Sequence, residues 1–186
     1  MNDNVEESKQ RVSEGEFRHY VFSIADLRSE TERLLKRAGY TLKTTKYIGF
    51  VDPDFRAKRT SGSSSFEVVG IIRENLDQAL EGLIRLAAVK AANRDADCVL
   101  VLPPINEYQL IEWLKDNDAR WYFGIHDSRL MLWFCNPENH STICFIGSPS
   151  DAQFRKHFYM MDVMSFDNRA SLLFRNRLLA EEEEED

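Results

Sequence analysis

The chain has 186 residues, of which 43% are hydrophobic and 30% charged, enough to build a core of its own as one domain. Its net charge is −7, but residues 181–186 hold six acids and residues 1–16 hold five acids against two bases, so the body between them is near neutral and gives no strong electrostatic case for nucleic acid. No apolar run approaches the ~20 residues of a membrane span, and MNDNVEESKQ lacks the basic opening and apolar core of a signal peptide, so a cytosolic chain is expected.

Residues 1–16 carry no apolar periodicity and read as a disordered acidic tail. Residues 17–180 read as a single α/β domain, and residues 181–186, EEEEED, as a second acidic disordered tail. SIADLRSETERLLKRAGY predicts the first helix: Ser23 caps it and Asp26 completes a capping box. Ile24, Leu27, Leu34 and Leu35 supply its apolar stripe, and Gly39 suits the position after its end. YTLKTTKYIGF, rich in Thr, Tyr and Ile, predicts a strand that Pro53 breaks. DFRAKR and SFEVVGIIR predict two more strands in an antiparallel meander. The intervening TSGSSS reads as a flexible turn, too loose for a two-residue hairpin.

ENLDQALEGLIRLAAVKAA is the clearest helix, with Leu76, Leu80, Leu83 and Ala87 along one face. Gly82 in its interior, about 1 kcal/mol worse than Ala there, fits close packing on a sheet. DCVLVLPP predicts a strand buried on both faces. Helix and then strand after the third strand imply a crossover and a parallel pair. NEYQLIEWLKDND predicts a helix capped by Asn106, RWYFGIH and RLMLWFCN two strands, and STICFIG another. Ser148-Pro149-Ser150-Asp151 reads as a helix start with the proline in the first position, and a last helix is predicted over 166–180. The fold class expected is α/β: a three-layer sandwich with a mixed central sheet and extra C-terminal strands and helices.

Cys98, Cys135 and Cys144 each sit inside an apolar run and read as buried free thiols. The four histidines are scattered, without zinc-ligand spacing. Lys43, Lys46, Arg56 and Arg59 form a basic neighbourhood on the first two strands, the candidate nucleic-acid contact. The aromatic-rich strands between 120 and 146 offer an edge for a homodimer.

One stretch carries an arrangement of chemical interest: VDPDFRAKRTSGSSSFEVVGIIR, residues 51–73. Pro53-Asp54 opens the second strand and Glu67 sits in the third. With the order of elements around it, this resembles the restriction-endonuclease-like PD-(D/E)XK superfamily over roughly residues 23–126. In that family an acid on the second core strand, an acid on the third and a lysine two residues on serve phosphodiester cleavage. The carboxylates and a backbone carbonyl hold Mg²⁺ through hard oxygen ligands, and the metal activates an attacking water. The resemblance implies Asp54 and Glu67 as metal ligands, with Val68 lending its carbonyl. The lysine position is Val69, which can neither carry charge nor donate a hydrogen bond, so the implied site is degenerate. Lys58, four residues past Asp54, is the residue that would replace the missing lysine.

The expectation is thus a non-catalytic module of nuclease-like fold that binds a protein partner or nucleic acid and needs no cofactor. The alternative is a Mg²⁺-dependent DNA nuclease using Asp54, Glu67 and a relocated Lys58. A second alternative is an unrelated α/β interaction protein whose hairpin imitates the motif.

Overall fold

The computed structural model describes residues 21–105, 109, 113 and 128–158. Both predicted tails, the strand RWYFGIH and the helix over 166–180 lie outside them, as does most of NEYQLIEWLKDND. No helix among the described residues is long and apolar enough to cross a membrane.

Helix α1 spans Ile24–Arg37 and starts as the sequence predicts. Ser23 Oγ accepts the Asp26 N–H at 3.2 Å, and the Asp26 carboxylate accepts the Ser23 N–H at 3.1 Å. Gly39 follows its end at φ +83°, in the left-handed region open to glycine. The strands are β1 (Thr41–Leu42), β2 (Phe55–Ser61), β3 (Ser64–Ile72), β4 (Asp97–Leu102), β5 (Met131–Asn136) and β6 (Ser141–Ile146). Helix α2 (Ala79–Ala92), preceded by one 3₁₀ turn at Leu76–Gln78, joins β3 to β4, and a short α3 covers Ala152–Arg155.

The six strands form one mixed sheet in chain order. β1, β2 and β3 make the antiparallel meander, β3, β4 and β5 run parallel, and β6 returns antiparallel to β5. Alternation along each strand sends side chains to two separate clusters. Val69, Ile71, Cys98, Leu100 and Leu132 pack with Leu83, Leu86 and Val89 of α2. Val68, Ile72, Val99, Val101 and Trp133 pack with Leu27, Leu34 and Leu35 of α1. Cys98 through Leu102 are fully buried, as a strand covered on both faces must be. All three cysteines are buried free thiols.

Two glycines let layers meet. A Cβ on Gly70 would fall 2.1 Å from the Phe55 ring, which lies across that position of β3. A Cβ on Gly82 would fall 2.7 Å from Leu100 Cδ1, so the glycine brings α2 down onto β4, the close packing expected of it.

The structure departs from the sequence reading in four places. The strand over YTLKTTKYIGF is only two residues long, because the chain leaves the sheet after Leu42 and turns back on itself at Ile48–Val51. TSGSSS is a tight hairpin: Ser61 pairs with Ser64, and Gly62-Ser63 is a two-residue turn. Gly62 takes φ +60°, the conformation that such a turn needs at its first central position. The buried stripe of α2 is Ala79, Gly82, Leu83, Leu86 and Val89, so the helix is rotated from the face drawn through Leu80 and Ala87. The last cap is Asp151, whose carboxylate accepts the Gln153 N–H at 2.9 Å, three residues beyond Ser148.

Candidate functional site

Asp54 stands just before β2, at the end of the sheet where the parallel strands β3 and β4 finish. Its N–H donates to the Gly70 carbonyl at 2.9 Å, and its Oδ2 accepts the Ile72 N–H at 2.8 Å. Asp54 is thereby clamped to the last residues of β3. Arg73 Nη1 lies 3.3 Å from the same Oδ2, and Arg28 Nη2, from α1, lies 3.3 Å from Oδ1. Arg73 is buried and continues the chain of charges: it pairs with Glu81 of α2, donates to the Ile72 carbonyl at 2.6 Å, and its own N–H donates to Val101 at 3.0 Å. Glu81 then meets Arg85 at 3.3 Å, and Arg85 donates to the Asp52 carbonyl at 2.8 Å. The result is a series of alternating charges from Arg28 to Arg85 that ties α1, the end of β3 and α2 together.

Glu67 belongs to a different network. The ladder sets it opposite Lys58, whose Nζ lies 3.4 Å from Oε2. Arg56 pairs with Oε1, and Asn93, just past the end of α2, donates to Oε2 at 3.1 Å. Burial pushes the Glu67 pKa up, but the Arg56 and Asn93 hydrogen bonds and the charges of Arg56 and Lys58 outweigh it and hold the carboxyl below its usual range. Val68 is fully buried against the α1 cluster.

Of the sequence-predicted site residues, the fold thus brings Lys58 to Glu67 and sets Asp54 apart from both. Phe55 pairs with Gly70 and Lys58 with Glu67, so Asp54 lies four residues along the ladder from Glu67, about 13 Å at ~3.3 Å per residue. Asp54 is bonded to Ile72, at the end of β3 away from Glu67. The residues of β3 beside Asp54 are Gly70, Ile71 and Ile72, and the first charged one after them is Arg73. Among the described residues, no group of three or more His, Cys, Asp or Glu is placed to hold a metal ion.

The predicted basic neighbourhood divides between the two faces. Arg56 turns to Glu67 on the α2 side. Arg59 turns to the α1 side, where Nε and Nη2 hold both oxygens of buried Asp151 at 2.7 and 2.8 Å and the guanidinium lies 5.9 Å from the centre of the Phe66 ring. Tyr40 Oη donates to the same Asp151 at 3.0 Å. Lys43 and Lys46 remain exposed, with no ion pair among the described residues.

A feature that the sequence reading missed lies beside these two lysines. Ile48 and Val51 exchange backbone hydrogen bonds of 2.9 and 3.2 Å, closing a two-residue turn over Gly49-Phe50. Val51 is buried and Ile48 packs on the α2-side core, while Gly49, at φ +62°, rests against Ala92 at the end of α2. The anchored turn presents Phe50 fully to solvent and leaves Tyr47 74% exposed. These aromatics read as strand residues in the sequence. The cue to their exposure was the Gly49-Phe50 pair between two apolar residues, a place where glycine permits a tight reversal.

No protein-family profile and no curated protein matches the chain. Solved structures similar to it include the following two. A XisH family protein from Nostoc punctiforme has 13% identity and a TM-score of 0.41 over 63% of this chain and 96% of its own. A FdxN element excision controlling factor protein from Anabaena variabilis has 13% identity and a TM-score of 0.39 over 64% and 96% respectively.

Proposed function

We propose that this chain is a degenerate, non-catalytic member of the restriction-endonuclease-like fold that binds nucleic acid. The observation that carries the non-catalytic part is the surroundings of Asp54. Two arginines and a backbone N–H occupy its carboxylate, and the neighbouring end of β3 offers isoleucine where a second acid would be needed. Oxygens that share one Mg²⁺ each lie within about 2.1 Å of it, so carboxylates on residues about 13 Å apart and bonded in different directions do not fit a common ion. The element order supports the fold assignment: an antiparallel hairpin, a crossover helix, then a parallel apolar strand, in the order that the family resemblance implies.

Binding rests on the corner formed by the 48–51 turn and the end of α2. Tyr47 and Phe50 supply faces on which bases stack, and Lys43 and Lys46 supply exposed cations for phosphates. Aromatics among cations are the pattern of single-strand binding, where stacking contributes about 1–3 kcal/mol per base.

Calorimetry and anisotropy together test this reading. Wild type and Glu67→Ala should both show no Mg²⁺ or Mn²⁺ binding at millimolar metal. A fluorescein-labelled single-stranded DNA should bind at low salt and lose about tenfold or more in Phe50→Ala. Metal binding that vanishes in Glu67→Ala, or cleavage abolished by Asp54→Ala with the fold retained, would instead establish the Mg²⁺-dependent nuclease.

A further inference from the structure

We propose that the C-terminal run LLAEEEEED, residues 178–186, docks on the Tyr47–Phe50 corner of its own chain and competes there with nucleic acid. The competition rests on the binding reading above; the docking stands on its own observations. The chain leaves the described residues at Phe158, 23 residues before Glu181. With the predicted helix over 166–180 rising ~1.5 Å per residue and the rest extended at ~3.3 Å, that stretch reaches about 50 Å. A compact chain of this size has a radius of gyration of about 16 Å, so every face of the domain is within reach.

Complementarity selects the face. In the run, Leu178 and Leu179 precede the acids, with Ala180 between. On the corner, Tyr47 and Phe50 are exposed, as are Lys43 and Lys46 on the same stretch of chain and Arg94, two residues past Ala92, which the Gly49 turn approaches. Asp52 and Asp95 are the exposed acids near by, and Glu67 is already neutralised by Arg56 and Lys58. Apolar contact and opposite charge are therefore both available on this corner. A second exposed basic area, Lys36, Arg37, Arg155 and Lys156, has no exposed aromatic among the described residues. Its groups are also partly engaged: Lys36 with Glu32, Arg37 with the His157 carbonyl, Lys156 with Gln153. The leucines thus decide for the first area over the second.

Zero-length carbodiimide cross-linking of the full chain at low salt, mapped by mass spectrometry, tests the docking without any nucleic acid. Lys43 or Lys46 should join a carboxylate of residues 181–186 within a monomer. The yield should fall about fivefold or more in Phe50→Ser, whose exposed position leaves the fold intact by circular dichroism, and again in 0.5 M salt, where the Debye length is about 4 Å. Cross-links to Lys36 or Lys156 instead, cross-links found only in species of doubled mass, or none to the tail would overturn the proposal. Replacing all six tail acids by their amides should then tighten single-stranded DNA binding several-fold. Docking without any DNA binding would sink the functional reading and leave the docking intact, whereas DNA binding without docking would do the reverse.

Discussion

Replacing Asp54 by alanine distinguishes a structural carboxylate from a vacant metal ligand. The side chain is 22% exposed and bonds three groups of unequal worth. The Ile72 N–H belongs to a fully buried residue, and orphaning it costs about 1–3 kcal/mol. Arg73 keeps Glu81 and the Ile72 carbonyl, so losing one of its partners costs about 1 kcal/mol, below the ~3–5 of a fully broken buried pair. Arg28 is 43% exposed, and its pairing counts for about 0.5 kcal/mol or less after solvent screening. The total is about 2–4 kcal/mol. With a urea slope near 2 kcal/mol/M, the unfolding midpoint of Asp54→Ala should fall by about 1–2 M. Asp54→Asn, which retains an acceptor for Ile72, should fall less. A metal site gives the opposite sign, since removing one of two facing carboxylates relieves their repulsion. A midpoint unchanged or raised in Asp54→Ala would refute the assignment.

Other consequences follow from packing and charge. Gly70→Ala drives a Cβ into the Phe55 ring and should destabilise by about 1–3 kcal/mol or more, whereas the close contact of Gly82→Ala is with one terminal methyl of Leu100 and the substitution regains about 1 kcal/mol of helix propensity, so its melting point should drop less. Burial pushes the Cys98 thiol up to about 12 and the Cys135 thiol up to about 11, so in folded protein at pH 8 neither should react with a thiol reagent on the timescale of the unfolded chain. Burial works to raise the carboxyls of Glu30, Glu67 and Asp151, but hydrogen bonds and neighbouring cations prevail and hold all three below their usual range. Their contribution is present above the unfolded values near ~4 and is lost as pH falls through the lower folded ones. Thermal stability should therefore fall steeply below about pH 4, and Glu67→Gln should flatten that fall; an unchanged slope would show that Glu67 is not held ionised by Arg56 and Lys58.

Features that depend on neighbours along the chain are legible in the residues alone. The capping box at Ser23 and Asp26 forms because the partners are three residues apart, and Cys98–Leu102 are buried because a continuous apolar run admits no solvent face. The meander and the crossover followed from element order. The tertiary structure alone decided the register of β2 on β3, and with it which charges meet. In the sequence, Asp54 and Glu67 are two acids separated by a turn; in the ladder, Gly62-Ser63 closes the hairpin so tightly that Glu67 falls to Lys58 and Asp54 to Ile72 and Arg73. Arg28 and Arg73 reach Asp54 from distant positions that no local spacing announces. Phe50 likewise reads as one more apolar residue of a strand, and only the reversal at Gly49, braced on Ala92, turns it to solvent. A pair of side chains is close or far according to the register and packing of whole elements, and these are set by the cores on both faces of the sheet together.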